Sequence, residues 1–425
     1  MDLEDKDVVL VVADTLTALH LPTYGYNRDT APFMTELAEN NTYFQNAYSN
    51  APWTVPSHAS LFSGKLMSEH GTGTGDSVFR DHSFVQDLND RGYRTVGISA
   101  NELVCEDLNF DRGFETFHEV FNFDTEESEV LKEAAIDKLR DFDLETLKDG
   151  LNFLFNKVKG NSTRGAENIE RIVRDEISDD NSPNFLFINY TEPHLPYSSP
   201  KEFAGQFTDN PEEKISKNMK DHYNTDKPEI YYQGFPNCTD EELVDLYDGT
   251  IKYLDSKLES LYEYLNEELD DLVFIVTSDH GENFREHGAY FHQCGIWEKS
   301  IRIPLIVAGD GVPDQEVTEN FSLRNLKHLI LENEVKTSDT VYAEYAGWTK
   351  MKPEDAEEKI EDETKRKFEY NKAKAVIGDQ KALVKNSELE DFQFIPDQKC
   401  YSEKEECFDQ EKLENKLDLI LGDFD

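Results

Sequence analysis

Three short apolar runs constrain the fold of this 425-residue chain more than any other feature of its sequence. They cover residues 8–13, 185–190 and 273–276. Short runs without alternating polar residues are typical of strands that are buried on both faces, as in a parallel sheet. We therefore predict an α/β fold in which a mainly parallel central sheet is flanked by helices.

Acidic and imidazole side chains follow each of these runs. Asp14 follows the first run, His194 lies shortly after the second, and Asp279 and His280 follow the third. In open α/β sheets, ligands bind outside the carboxyl ends of the strands. We therefore expect these side chains to meet at one edge of the sheet.

The segment at residues 53–64 supplies a candidate nucleophile. Thr54 precedes Val55 and Pro56, and proline is tolerated in the first turn of a helix, where no backbone N–H is needed. Free N–H groups and the helix dipole favour an anion at that place. Two interpretations of Thr54 follow: a nucleophile that faces a phosphate or sulfate ester, or only the N-cap of a helix.

Together, these and other segments resemble the sulfatase-like family of the alkaline phosphatase superfamily. The similar segments follow one another within residues 5–330: 14–16 with 24–26, 30–48, 193–197, 246–255, 279–292 and 302–307. The resemblance implies an alkaline-phosphatase-like three-layer sandwich with a small C-terminal α+β subdomain. We expect a catalytic domain at residues 1–334, with a helical insertion at about 124–180, and the subdomain at 335–425.

This chain departs from the sulfatases of that family at the nucleophile. Sulfatases carry a Cys or Ser that is converted to formylglycine where this chain has Thr54, and an Arg where it has His58. Threonine cannot give the aldehyde, because its β-carbon carries a methyl group. The resemblance then points to phosphoester-processing relatives with an unmodified Thr nucleophile, such as phosphoglycerol transferases, and to nucleotide phosphodiesterases.

The expected function is therefore that of a metal-dependent phosphate-ester hydrolase or phosphoryl-group transferase with a phospho-Thr54 intermediate. One alternative is a sulfuric ester hydrolase, and another is a non-catalytic binding protein on the same fold. The expected substrate is a phosphate or sulfate ester of a small molecule, a glycan or a lipid headgroup.

Four side chains are candidate ligands of a divalent metal ion: Asp14, Thr54, Asp279 and His280. Three oxygens and one nitrogen suit Mn²⁺ or Zn²⁺, and Mg²⁺ or Ca²⁺ is also compatible. The ion would lower the pKa of the Thr54 hydroxyl and would stabilise charge on the phosphoryl oxygens.

Further polar side chains are candidates for catalysis or substrate binding. His194 and His292 are candidates for protonating the leaving group or for holding substrate oxygens. A second metal ion bound by these two histidines and Glu192 is the alternative. The candidate substrate-binding residues are Trp53, His58, Asn101 and Glu192.

The acidic composition limits the expected partners. The chain has 43 Lys and Arg against 89 Asp and Glu, which gives a formal net charge of −46 at pH 7. This charge repels nucleic acid and anionic membranes, and it indicates a halophilic protein that works in concentrated salt. No membrane-length apolar run or signal-peptide pattern is visible, and the five cysteines lack zinc-type spacing. We predict a cytoplasmic protein without stable membrane insertion, and its oligomeric state stays open.

Three other segments carry local predictions. Prolines and a glycine predict a loop-rich excursion at residues 200–240. Residues 343–345 and 374–384 are predicted strands of the C-terminal subdomain. The charged residues 352–372 between them are predicted to be helical.

Overall fold

The computed structural model describes residues 3, 5–74, 77–120, 165–177, 182–224, 234–285, 290–292, 295–347, 373–378, 381–386 and 393–395. Its strands are β1 (Asp7–Ala13), β2 (Thr42–Tyr48), β3 (Arg94–Ser99), β4 (Thr116–Glu119), β5 (Asn184–Tyr190), β6 (Leu272–Ser278), β7 (Asn283–Phe284), β8 (Tyr290–Phe291), β9 (Arg302–Ile303), β10 (Leu305–Gly309), β11 (Gln315–Ser322), β12 (Thr337–Ser338), β13 (Val341–Tyr345), β14 (Ala373–Gly378), β15 (Lys381–Asn386) and β16 (Gln393–Ile395). Its α-helices are α1 (Pro32–Glu39), α2 (Thr54–Ser63), α3 (Met67–His70), α4 (Phe84–Asp90), α5 (Ala166–Glu176), α6 (Lys201–Ala204), α7 (Pro211–Asn224), α8 (Asp240–Glu268), α9 (Glu298–Ile301) and α10 (Leu326–Glu332).

A mixed, mostly parallel sheet forms the centre of the molecule, in the order β12-β11-β2-β10-β6-β1-β5-β3-β4, with β9 paired to β2. The three apolar runs are its adjacent strands β6, β1 and β5, and β1 is parallel to both neighbours. The predicted α/β class with a mainly parallel sheet is confirmed.

Both faces of this sheet are buried, because alternate residues of one strand enter different cores. Val9 and Val11 of β1 pack with the apolar residues of α8 and α1. Val8 and Leu10 pack with α2, α4 and α10 on the opposite face. The result is a three-layer sandwich of helices, sheet and helices.

Helix α2 begins a few residues after β2, and all ten of its residues are buried. It ends at Gly64, whose φ of 72° is left-handed and therefore suits glycine at a helix C-terminus. Ser57, in the first turn, donates a hydrogen bond to the backbone oxygen of Asp279 at 2.6 Å. This bond fixes the beginning of α2 against the end of β6.

The C-terminal strands form a separate antiparallel sheet in the order β13-β14-β15-β16. Val341 and Tyr345 of this sheet pack with Tyr48, Trp297 and Ile301 of the main domain. The strands predicted at 343–345 and 374–384 are present in the described residues. The predicted helix at 352–372 lies outside the described residues, and the domain boundaries stay a prediction.

The predictions for residues 124–180 and 200–240 can be compared with the structure only in part. Residues 124–164 and 178–180 of the expected helical insertion lie outside the described residues, and α5 occupies 166–176. The loop-rich prediction for residues 200–240 is wrong in its described part, which contains α6 and α7. Pro211 is the first residue of α7, where proline starts a helix, and Glu212 and Glu213 suit its positive dipole end. Among the described residues, no helix is both long and apolar enough to cross a bilayer.

Candidate active site

Asp14 lies at the carboxyl end of β1 and is fully buried. Its backbone N–H donates to the carbonyl of Tyr190 at 2.9 Å, which fixes the turn beside β5. The side-chain amide of Asn101 donates a hydrogen bond to Oδ2 of Asp14. The other oxygen, Oδ1, lies 3.5 Å from Nε2 of His280. Asp14 therefore joins residues that follow β3 and β6.

Asp279 is held at one carboxylate oxygen and lacks a donor at the other. Its Oδ1 accepts hydrogen bonds from the backbone N–H groups of Thr15 at 3.2 Å and His280 at 2.8 Å. Its Oδ2 lies 3.4 Å from Nε2 of His280 and 3.5 Å from Nδ1 of His58, and no described residue donates a hydrogen bond to it. A buried carboxylate oxygen without a donor is a ready ligand for a cation.

His280 presents one ring nitrogen to this cluster. Its Nδ1 lies 3.0 Å from the carbonyl of Gly281, which is an acceptor, so Nδ1 carries the proton and Nε2 is unprotonated. Burial lowers the pKa of His280 to about 3, which keeps the ring neutral. Gly281 itself is required here, because a Cβ atom would lie 1.9 Å from the carbonyl oxygen of Lys299.

Thr54 is the first residue of α2, and its side chain is nearly inaccessible. Its Oγ1 lies 3.3 Å from Nε2 of His280. Trp53, not Thr54, is the N-cap residue, so the interpretation of Thr54 as only an N-cap is wrong. The hydroxyl instead lies between the helix N-terminus and the buried residues that end β1 and β6.

The residues that end β1 and β6 fit a divalent cation. Asp14, Asp279 and His280 each offer one ligand atom, and these atoms lie within 4.8 Å of one another. Two carboxylates, a neutral imidazole and the donor-free Oδ2 of Asp279 are the chemistry that such an ion requires. Within the described ranges this is the only such group, so Glu192, His194 and His292 do not form a second one.

His194 and His292 lie beside this group. The ring of His292 is 4.6 Å from that of His280 and 5.0 Å from that of His194, measured between ring centroids. Nδ1 of His292 lies 2.9 Å from Oε1 of Glu282. Burial raises the pKa of Glu282 to about 8 and lowers the pKa of His292 to about 4, so this pair is neutral near pH 7. The structure thus brings both predicted histidines to the site.

His58 lies one turn after Thr54 on α2, and its predicted substrate contact stays a prediction. The side chain is completely buried. Its Nδ1 lies 3.0 Å from the carbonyl of Thr54, and its Nε2 accepts a hydrogen bond from Asn189 at 3.3 Å. Burial lowers the pKa of His58, so it brings no positive charge to the site. We interpret His58 as a residue that supports the first turn of α2.

The other candidate substrate-binding residues lie at different depths. Asn101 donates to Asp14 and therefore supports a candidate metal ligand. Trp53 is half-buried and packs against both the α2 side of the main core and the C-terminal sheet. Glu192 is 1% exposed and follows β5. These positions alone do not assign a substrate contact to Asn101, Trp53 or Glu192.

The sequence analysis missed Glu282 and Tyr197. The hydroxyl of Tyr197 donates to Oε2 of Glu282 at 3.0 Å, so the loop after β5 is joined to the segment after β6. A signal was available, because Glu282 belongs to the same four-residue string as Asp279 and His280. The spacing of Glu282 and His292 in the sequence does not by itself predict that the two side chains pair.

Comparison with known proteins identifies the family. The family model "Sulfatase" matches residues 6–332, and the chain belongs to this family, within the alkaline phosphatase superfamily. The iduronate 2-sulfatase of Mus musculus is 24% identical over 71% of this chain and 59% of its own length. The choline-sulfatase of Rhizobium meliloti is 23% identical over 75% of this chain and 65% of its own. This chain thus spans less than two thirds of both curated relatives.

A solved structure shows the same fold. The phosphonate monoester hydrolase of Agrobacterium radiobacter superposes with a TM-score of 0.63 at 16% sequence identity. The match covers 92% of this chain and 89% of that chain. The predicted alkaline-phosphatase-like fold is therefore confirmed.

Proposed function

We propose that this protein cleaves or transfers phosphate esters, with Thr54 as the nucleophile. The observation that carries the proposal is the position of Oγ1 of Thr54, at the N-terminus of α2 and 3.3 Å from Nε2 of His280. Threonine cannot be converted to the aldehyde of formylglycine, which supports an unmodified hydroxyl. The proposed catalytic domain spans residues 1–334, and the smaller C-terminal subdomain spans 335–425.

Asp14, Asp279, His280 and Thr54 are the proposed ligands of a divalent cation, for which Mn²⁺ and Zn²⁺ are the preferred candidates. When bound, this ion supplies positive charge that favours the alkoxide form of Thr54 and stabilises the phosphoryl oxygens. Asn101 holds Asp14, and the backbone N–H groups of Thr15 and His280 hold Asp279. The ligands are therefore held in place before any ion binds.

The reaction proceeds in two displacements. The hydroxyl proton of Thr54 leaves to water, Oγ1 bonds to phosphorus, and the bond from phosphorus to the leaving oxygen breaks. His292 or His194, protonated from water for this step, donates that proton to the leaving oxygen. Water or an acceptor alcohol then attacks phosphorus and releases Thr54. The first N–H groups of α2 favour the negative charge that the phosphoryl oxygens carry throughout.

A sulfuric ester hydrolase is the second candidate, and the names of the two curated relatives support it. The substrate in either case is a small-molecule, glycan or lipid-headgroup ester. The two candidates differ at one point. A sulfatase of the usual kind needs the aldehyde that Thr54 cannot form, so we rank phosphate esters first.

Rate assays on three esters test the proposal. p-Nitrophenyl phosphate, bis-p-nitrophenyl phosphate and p-nitrophenyl sulfate are compared at high salt with added Mn²⁺ or Zn²⁺. We expect turnover of a phosphate ester and a loss of at least about 10³-fold in Thr54→Ala, as for removal of other covalent nucleophiles. Thr95→Ala is the control, because Thr95 is also buried but lies near the amino end of β3, away from the carboxyl ends of the strands. Turnover of the sulfate alone, or full activity in Thr54→Ala, would contradict the proposal.

A further inference from the structure

A two-stranded hairpin carries Glu282 and His292 to the same place. Its strands β7 and β8 pair Asn283 with Phe291, so the residues just outside this pair, Glu282 and His292, become neighbours. The side-chain amide of Asn283 donates to the carbonyl of Phe291 at 2.6 Å. Phe291 has a φ of 66°, a left-handed conformation that aromatic residues rarely adopt and that marks backbone strain. The hairpin therefore fixes the backbone on which His292 is mounted.

Glu282 has a defined partner at each carboxyl oxygen. Oε1 lies 2.9 Å from Nδ1 of His292, and Oε2 accepts a hydrogen bond from the hydroxyl of Tyr197 at 3.0 Å. Glu282 is fully buried, and His292 is 3% exposed. Asp279, in the same string, instead keeps an oxygen without a donor among the described residues. Glu282 is thus placed to hold another side chain rather than a cation.

Only one of the two ring nitrogens of His292 is bonded to Glu282, and the other can contact a ligand. Its Nδ1 is engaged by Glu282, and within the described part of the chain no residue hydrogen-bonds its Nε2. The ring lies against those of His280 and His194, and His280 in turn contacts the proposed nucleophile. Nε2 is therefore the nitrogen that can meet a substrate.

We propose that Glu282 is a positioning residue, which acts on the reaction through His292. A histidine ring without a hydrogen-bond partner at either nitrogen can flip about its Cβ–Cγ bond, and it can carry its proton on either nitrogen. The contact with Glu282 confines His292 to one orientation and one tautomer, with Nε2 directed to the leaving group. The Tyr197 hydroxyl holds Glu282 in turn and links it to the loop that carries His194. This inference rests on the proposed function, in which His292 contacts the substrate.

Leaving-group dependence separates this role from a merely structural one. In Glu282→Ala we expect kcat to fall about 10- to 100-fold on a phenyl or alkyl phosphate ester, which needs protonation of its leaving oxygen. We expect a much smaller loss on the matching p-nitrophenyl ester, whose leaving group needs little protonation. Equal losses on both esters would overturn the proposal. Glu213→Gln, at an exposed carboxylate on α7, is the control.

Conservative and double variants sharpen the same test. Glu282→Gln should recover most of the rate, because an amide can still bond to Nδ1 of His292. Tyr197→Phe should show a smaller loss than Glu282→Ala, with the same dependence on the leaving group. The double variant Glu282→Ala/His292→Ala should be no slower than His292→Ala alone, since Glu282 acts only through His292. Additive losses would overturn the proposal.

A spectroscopic measurement tests the positioning without relying on activity. In protein labelled with ¹⁵N at its 11 histidines, the His292 signals, assigned by comparison with His292→Gln, should report one tautomer. Glu282→Ala should shift these signals towards a mixture, and Thr54→Ala should leave them unchanged. Unchanged His292 signals in Glu282→Ala would overturn the positioning role even if Thr54 is the nucleophile. Shifted signals in a protein without esterase activity would support the positioning and overturn only the proposed function.

Discussion

Two regions of the molecule hold buried carboxylates whose hydrogen-bond partners differ. In α8, Asp248 contacts the His20 ring at 2.8 Å through Oδ1, and its Oδ2 accepts from Tyr26 at 2.7 Å and Arg28 at 2.9 Å. At the end of β6, Asp279 has donors on Oδ1 and none from the described residues on Oδ2. The carboxylate in α8 is saturated with partners, whereas Asp279 retains capacity for a ligand.

Asp255, also in α8, likewise has a hydrogen-bond partner at each carboxylate oxygen. Its two oxygens accept hydrogen bonds from the backbone N–H groups of Phe33 and Met34, both at 2.9 Å, and so cap the first turn of α1. Burial alone thus does not distinguish a structural carboxylate from a functional one. The distinction lies in whether the protein supplies partners for both oxygens.

The largest expected effect is that of Asp279→Asn. Metal binding should be lost, and activity should fall by more than the about 10- to 100-fold that is typical of residues that only orient ligands. The metal-free variant should be no less stable than the metal-free wild type, because a neutral amide removes the penalty of a buried carboxylate. Metal titration, rate assays and urea unfolding measure the three quantities. Retained stoichiometric binding would contradict the account of the site.

Asp248→Asn should show the reverse pattern. Removing this charge weakens the contacts of Asp248 with the His20 ring and with Arg28, which keeps Asp245 as an acceptor, and hydrogen bonds to charged groups contribute about 1.5–3 kcal/mol each. The variant that remains folded should bind metal and turn over substrate at the wild-type rate. The urea midpoint and the rate per folded molecule check this prediction. A rate that falls while stability holds would break the distinction between the two regions.

Asp255 should have no large effect on activity, and its effect on stability should depend on pH. Burial raises its pKa to about 7, above the value of 3.8 for an exposed aspartate. The unfolded chain therefore releases this proton first, so the contribution of Asp255 to stability is greatest below about pH 4 and declines up to about pH 7. The unfolding free energy of the wild type, relative to Asp255→Asn, should fall by at most about 1.4 kcal/mol per pH unit in this range. A free-energy difference that does not change with pH would contradict the description of Asp255 as a buried carboxyl group with a hydrogen-bond donor at each oxygen.

The sequence predicted the parts of the site that local patterns determine. Asp14, Asp279 and His280 follow apolar strands, and adjacent parallel strands bring their ends together. Thr54 is predictable from sequence because the proline two residues later marks a helix start. Each of these depends on only a few neighbouring residues.

The remaining parts depend on contacts between distant segments. His58 lies four residues after Thr54, and only the packing of Asn189 and Asp279 against it reveals that it supports the helix. Glu282 and His292 meet because a hairpin reverses the chain between them. At residues 200–240, the prolines and the glycine predict loops, although Pro211 begins a helix, since proline serves in both settings.

Trapping the covalent intermediate is the most direct test of the central claim. Wild-type protein with Mn²⁺ or Zn²⁺ is mixed with a phosphate ester, quenched in acid within the first turnover, digested and analysed by mass spectrometry. The account predicts one phosphoryl group, or its alkyl ester from a diester, on the peptide that contains Thr54, and none in Thr54→Ala. Turnover without any adduct, or an adduct at another residue, would contradict Thr54 as the nucleophile.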